Sequence, residues 1–117
     1  MTATDIIGSV SAHIAAIATH VPDAILDNAE LAALYPEWPA DKILDKTGIA
    51  ARHIAAADET ALDLGVAAAE KLFARTGMDR AEIDFLIFCT QAPDYVLPTS
   101  ACIMQDRLQL GTSIGAL

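Results

Sequence analysis

The sequence predicts an α/β fold built around a parallel sheet. Phe85-Leu86-Ile87-Phe88-Cys89 is a continuous apolar run with no polar alternation, the pattern of a strand covered by helices on both faces. Two helices are marked at their starts by capping-box spacing, Asp27 with Glu30 and Thr60 with Asp63. The order strand, helix, strand, helix and then a new apolar segment, Ser113-Ile114-Gly115-Ala116-Leu117, implies a second core strand beginning near Ile114.

Taken in order, residues 1–11 read as a short lead-in. Ile14-Ala15-Ala16-Ile17-Ala18 is short, apolar and bounded by Pro22, which predicts a buried strand and then a turn through Pro22-Asp23. Asp27 caps a helix opened by Leu31 and Leu34. It stops near Tyr35, because a residue preceding proline is pushed out of the helical region. Pro39 suits the first turn of a second helix over 40–46, with Ile43 and Leu44 as its buried side and Gly48 as its stop. Thr60 caps a long helix over 61–75. Leu62, Val66, Ala69 and Phe73 fall at helical spacing along it, and Gly77 closes it. A polar loop over 91–98 follows the 85–89 strand, at the sheet edge where open α/β folds bind ligands. A third helix over 99–108 turns Ala101, Ile103 and Leu108 inward and ends at Gly111.

Among the 117 residues, 54% are hydrophobic and 20% charged, which excludes a disordered tail and fits one domain. The net charge of −9 disfavours nucleic acid and anionic membrane as partners. No apolar run approaches the roughly 18 residues of a membrane span. Met1-Thr2-Ala3-Thr4-Asp5 lacks the basic region of a signal peptide, so a cytoplasmic location is expected. Two cysteines form neither a disulfide framework nor a metal motif.

Four segments carry a family likeness. Lys46-Thr47-Gly48-Ile49-Ala50-Ala51-Arg52-His53-Ile54-Ala55 resembles the TGI-x-x-RH-I-A segment of β-ketoacyl-acyl carrier protein synthase III. Asn28-Ala29-Glu30-Leu31 resembles its N-[AE]-[DE]-L, and Asp58-Glu59-Thr60 resembles the E-T before its long helix. Pro98-Thr99-Ser100-Ala101-Cys102-Ile103-Met104-Gln105 resembles its P-[ST]-x-[AS]-x-x-[IL]-Q. Order and spacing hold from Ile14 to Leu117, with one residue inserted near Trp38.

The resemblance implies a thiolase-like layered αβαβα fold, of which this chain is the first part of the N-terminal half. It also implies a homodimer. The implied chemistry is acyl transfer to a cysteine, then decarboxylative Claisen condensation with a malonyl thioester, in fatty-acid or polyketide synthesis. Such chemistry needs a thiolate formed below its free pKa and donors for the thioester oxyanion. The family's Cys, His and Asn are not among these residues; its nucleophile lies a few residues past the strand near Ile114. A chain continuing past Leu117 is therefore expected. Cys102 and Cys89 read as packed thiols, His53 as structural and His20 as solvated in a turn. No cofactor is expected to be permanently bound; acyl-CoA or acyl carrier protein is the implied substrate or partner.

In the family, the stretch before TGI holds part of the CoA site. Counting back from Gly48, the stacking aromatic falls at Lys42 and the phosphate-binding arginine at Lys46. Lys46 keeps a cation without the guanidinium fork, and Lys42 cannot stack. Trp38, four residues earlier, either supplies the missing plane or anchors packing beside Pro39. This leaves room for a carrier-bound or unusual acyl donor. Leu97 matches a position, often aromatic, that reaches across the dimer into the partner's acyl pocket; a plain interface contact is the alternative. Ala16 and Ala18 replace two glycines of the family's first strand. Other readings stay open: a non-catalytic partner subunit of a condensing-enzyme dimer, an inactive fragment, and a self-contained small binding domain.

Overall fold

The computed structural model describes residues 11–117; the lead-in over 1–11 lies, apart from Ser11, outside them. The described elements form two regions. The first runs β1 (Ala24–Asp27), α1 (Asn28–Leu34), α2 (Ala40–Thr47) and β2 (Ala51–Ile54). The second runs α3 (Ala61–Thr76), a 3-10 turn over Arg80–Glu82, β3 (Phe85–Leu86), α4 (Ser100–Arg107) and β4 (Gly115–Ala116).

In the first region β1 and β2 pair antiparallel, with Ala24 opposite Ile54 and Asp27 opposite Ala51. Both helices are inserted between the paired strands. The Asp27 side chain accepts from the Glu30 amide at 2.8 Å, and the Glu30 carboxylate accepts from the Asp27 amide at 3.1 Å. The capping box is thus complete and sets the start of α1. Asn28, buried at that start, donates to the Ile49 carbonyl at 2.8 Å and accepts from Arg52 at 2.7 Å. One polar side chain therefore fastens α1 to the approach to β2, its burial offset by partners on both ends. Pro39 precedes α2, and Gly48 closes it at φ 69°, a conformation that favours glycine.

In the second region β3 and β4 pair parallel, Phe85 beside Gly115 and Leu86 beside Ala116. Two further bonds extend the ladder, Phe88 N–H to Leu117 O at 2.8 Å and Leu117 N–H to Leu86 O at 3.0 Å. Leu62 and Val66 of α3 pack against Met104, Leu108 and Leu110, with Phe73, Leu86, Phe88 and Ile114 around them. The long helix carries the predicted capping box of Thr60 and Asp63 and ends at Gly77. Gly65 lets the Phe88 ring lie against the helix, since a Cβ there would come within 2.7 Å of the ring. Arg107 reaches back to Asp63 at 2.7 Å, and Arg80 grips Glu70 at 2.6 Å.

Several expectations are corrected. Residues 14–18 form no strand, and Ile14 and Ile17 are 79% and 65% exposed. A strand needs a neighbour for its backbone, and no described residue pairs with this segment. It is tied to α3 instead: Arg75 donates to the Ile17 carbonyl, and Lys71 meets His20 at 2.7 Å. His20, expected to be solvated, is thus partnered. The 85–89 run is covered on one face only. Leu86 and Phe88 turn to the core, while Phe85 and Ile87 are 54% and 71% exposed. Cys89 and Cys102 are exposed, not packed. On α2, Ile43 is buried but Leu44 is exposed, because α1 meets only one side of so short a helix. The last helix ends before Gly111, with Gln109 taking the positive φ of 54°. Among the described residues, no helix is long and apolar enough to cross a membrane.

Candidate ligand cleft

The turn between α1 and α2 is crowded with proline, and that crowding builds a cleft. Pro36 ends α1, Pro39 starts α2, and the Trp38 amide donates to the Tyr35 carbonyl at 2.9 Å. The two rings between the helices are held outward, Tyr35 53% and Trp38 43% exposed. They line a cleft of about 330 Å³ with Leu31, Glu37, Ile43, Lys46 and Thr47. Thr47 is fixed by donating to the Ile43 carbonyl at 2.7 Å and accepting from the Ile49 amide at 3.1 Å. The cleft is apolar inside, with a cation and a carboxylate among its lining residues, the character of a site that orients a mostly apolar ligand by a few charges.

Three of the four residues named from sequence meet here. Trp38 and Lys46 line the cleft, and the Lys42 Nζ sits 4.2 Å from the centroid of the Trp38 ring. Lys46 Nζ lies 3.8 Å from Asp45, an exposed pair worth little, so its charge is free for a ligand anion. Leu97 stands apart, 80% exposed on the loop between β3 and α4 beside Val96 at 92%. A separate cavity of about 410 Å³ opens near that loop, lined by Phe88, Tyr95, Val96, Ser100 and others, but Leu97 does not line it. Sequence reasoning missed Tyr35, Glu37 and Thr47. The signal for the first was two aromatics three residues apart in a proline-bounded turn.

The acidic side of the molecule is elsewhere. Asp23, Asp58, Glu59 and Asp63 line a cavity of about 540 Å³ between β1, β2 and the start of α3. The Arg107 guanidinium, and then the Thr60 hydroxyl and amide, hold the Asp63 carboxyl down to about 2. Arg80 likewise lowers Glu70 and is itself raised by it. Among the described residues no three His, Cys, Asp or Glu side chains are grouped to hold a metal ion.

No family model matches the chain. Over 89% of its length it superposes on a solved 3-oxoacyl-(acyl-carrier-protein) synthase III with 60% identity and a TM-score of 0.84, covering 31% of that chain. Against the synthase III of Thermus thermophilus the identity is 32% and the TM-score 0.83, over 91% of this chain and 32% of that one. Similar solved chains also include OleA of Xanthomonas campestris, at 25% identity and a TM-score of 0.75 over 85% of this chain and 30% of that one. The fold is therefore thiolase-like, of the condensing-enzyme kind. In sequence the chain is 40% identical over 103 residues to the β-ketoacyl-[acyl-carrier-protein] synthase III of Sulfurovum sp., covering 85% of this chain and 29% of the relative. It is 37% identical over 95 residues to that of Methylococcus capsulatus, covering 81% of this chain and 29% of the relative. The chain is similar in sequence to β-ketoacyl-acyl carrier protein synthase III, and spans 29% of the length of the curated relatives it matches.

Proposed function

We propose that these 117 residues act as the N-terminal part of a synthase III-type condensing enzyme, and that the Trp38–Lys46 cleft takes the CoA or carrier arm of its acyl donor. The observation that supports this most is the 60% identity to a solved 3-oxoacyl-acyl carrier protein synthase III, held at a TM-score of 0.84. In this reading a cysteine thiolate attacks an acyl thioester and expels the donor thiol. A malonyl thioester on acyl carrier protein then loses CO₂. Its carbanion attacks the acyl-enzyme, forming the new carbon–carbon bond and returning the thiolate.

The cysteine, histidine and asparagine of these steps are not among the 117 residues, whose part is binding and framework. Lys46 offers a cation to a donor phosphate and Trp38 offers a ring plane, with Lys42 over that ring. Leu97 enters the acyl pocket of the partner in a homodimer, where a flexible leucine admits acyl groups longer or bulkier than acetyl. The enzyme is cytoplasmic, has no permanently bound cofactor, and serves fatty-acid or polyketide synthesis.

Complementation tests the reading. The chain is co-expressed with a polypeptide carrying the rest of the Sulfurovum relative, and CO₂ release from a malonyl thioester is measured with acyl-CoA present. Product is expected from the pair and from neither half. Product from the 117 residues alone, or a co-purifying pair that stays inactive, would overturn it.

A further inference from the structure

One contact at the cleft is unexplained by donor binding alone. Lys42 stands over the Trp38 ring at 4.2 Å, yet it is not among the residues lining the cleft, whereas Trp38 is. The ammonium covers one face of the ring, while Trp38 still borders the cleft. The cause is local. Trp38 lies just before Pro39, which caps α2, and Lys42 is four residues further, within the first turn of the helix. Helical side chains lean toward the N-terminus, so Lys42 reaches back over residue 38. The indole lies in a turn and is 43% exposed. An ammonium over one face restrains its tilt.

We propose that Lys42 is a positioning residue, clamping the Trp38 indole from behind so that its other face is presented to a planar base in the cleft. This rests on the reading of the cleft as a donor-arm site. It separates the two lysines, Lys46 meeting anionic groups of the ligand while Lys42 acts only through the ring.

Trp38 is the only tryptophan of the 117 residues, so its fluorescence reports both halves of the proposal. Without ligand, Lys42→Met should raise acrylamide quenching of Trp38 about 2-fold, because the ring face under the ammonium opens to the quencher. Lys42→Arg, which keeps a cation able to stack, should stay at the original level. Adenosine and adenosine 3′,5′-bisphosphate are then titrated separately. A clamp predicts that Lys42→Met weakens both about equally, by ~3-fold. Weakening confined to the bisphosphate would make Lys42 a phosphate contact and overturn the clamp. Unchanged ligand-free quenching would overturn it as well. If the quenching behaves as expected but neither nucleoside binds the unaltered protein, the clamp stands and the donor-arm reading of the cleft falls.

Discussion

The two regions hold themselves together by different means. From α3 to β4, five buried apolar side chains meet in one cluster, and the helices and strands around it are positioned by that burial. From β1 to β2 the described buried residues are one aliphatic, Ile43, and one amide, Asn28. Order there comes from hydrogen bonds: a capping box, the Asn28 bonds to Ile49 and Arg52, and an eight-residue helix stopped by Gly48. The ligand cleft lies in the second kind of region. A site framed by bonds and prolines can keep apolar walls open, whereas a packed cluster would close over them.

Core truncation should break the comparison most visibly. Leu108 is 1% exposed within the cluster, so Leu108→Ala should cost about 3 kcal/mol through lost burial and the cavity left behind. Ile43 is 6% exposed but borders the open cleft, where neighbours can relax inward. Ile43→Ala should therefore cost about 1–2 kcal/mol, at the low end for such truncations. Urea unfolding measures both. Equal costs would mean that the first region has a closed core of its own.

The same contrast governs what could be read from sequence. Both capping boxes, both left-handed glycine caps and the inward set of α3 were legible, because they rest on residues three or four apart. That the 85–89 segment and the segment near Ile114 are strands of a parallel sheet was legible, though the continuous apolarity of the first implied cover on both faces and only one is covered. β1 and β2 were not. Each has four residues, mostly exposed, and their pairing joins positions separated by two helices. The Ile14–Ala18 run misled for the opposite reason: its apolarity was real, but no strand among the described residues receives it. Of the candidate site, Lys42 and Lys46 were named by motif position and Trp38 from its place four residues before Lys42; the structure puts Trp38 and Lys46 on one cleft, with Lys42 over the Trp38 ring. Tyr35 and Glu37 were missed because no motif covers the turn, and Leu97 lies in another part of the fold.

A cap deletion should sharpen the contrast with a smaller effect. Asp27→Ala removes the acceptor for the Glu30 amide at the start of α1. The cost should be about 1 kcal/mol and should be local. Hydrogen exchange should speed up across α1 and at the Asn28 amide, which bonds Ala50, while α3 and α4 keep their protection. Equal loosening of α4 would show that the regions unfold together.

The smallest effect is electrostatic and belongs to the packed region. Asp63 titrates at about 2 against an ordinary 3.8, mainly because Arg107 and then Thr60 bond its charged form. A lowered carboxyl favours the fold when ionised. Its contribution is complete above about pH 4, declines as pH falls through the interval down to about 2, and is absent below it. Glu70, lowered by Arg80, acts in the same direction. Asp63 and Arg107 side chains are 35% and 39% exposed, so water screens the pair and the effect stays small beside the loss of Leu108. Asp63→Asn should flatten the acid limb of a stability–pH curve measured by urea unfolding, and the variant and original curves should converge near pH 2. Parallel curves would mean that Asp63 acts through its capping geometry and not its charge. The α3–α4 contact would then owe its hold to the apolar cluster alone.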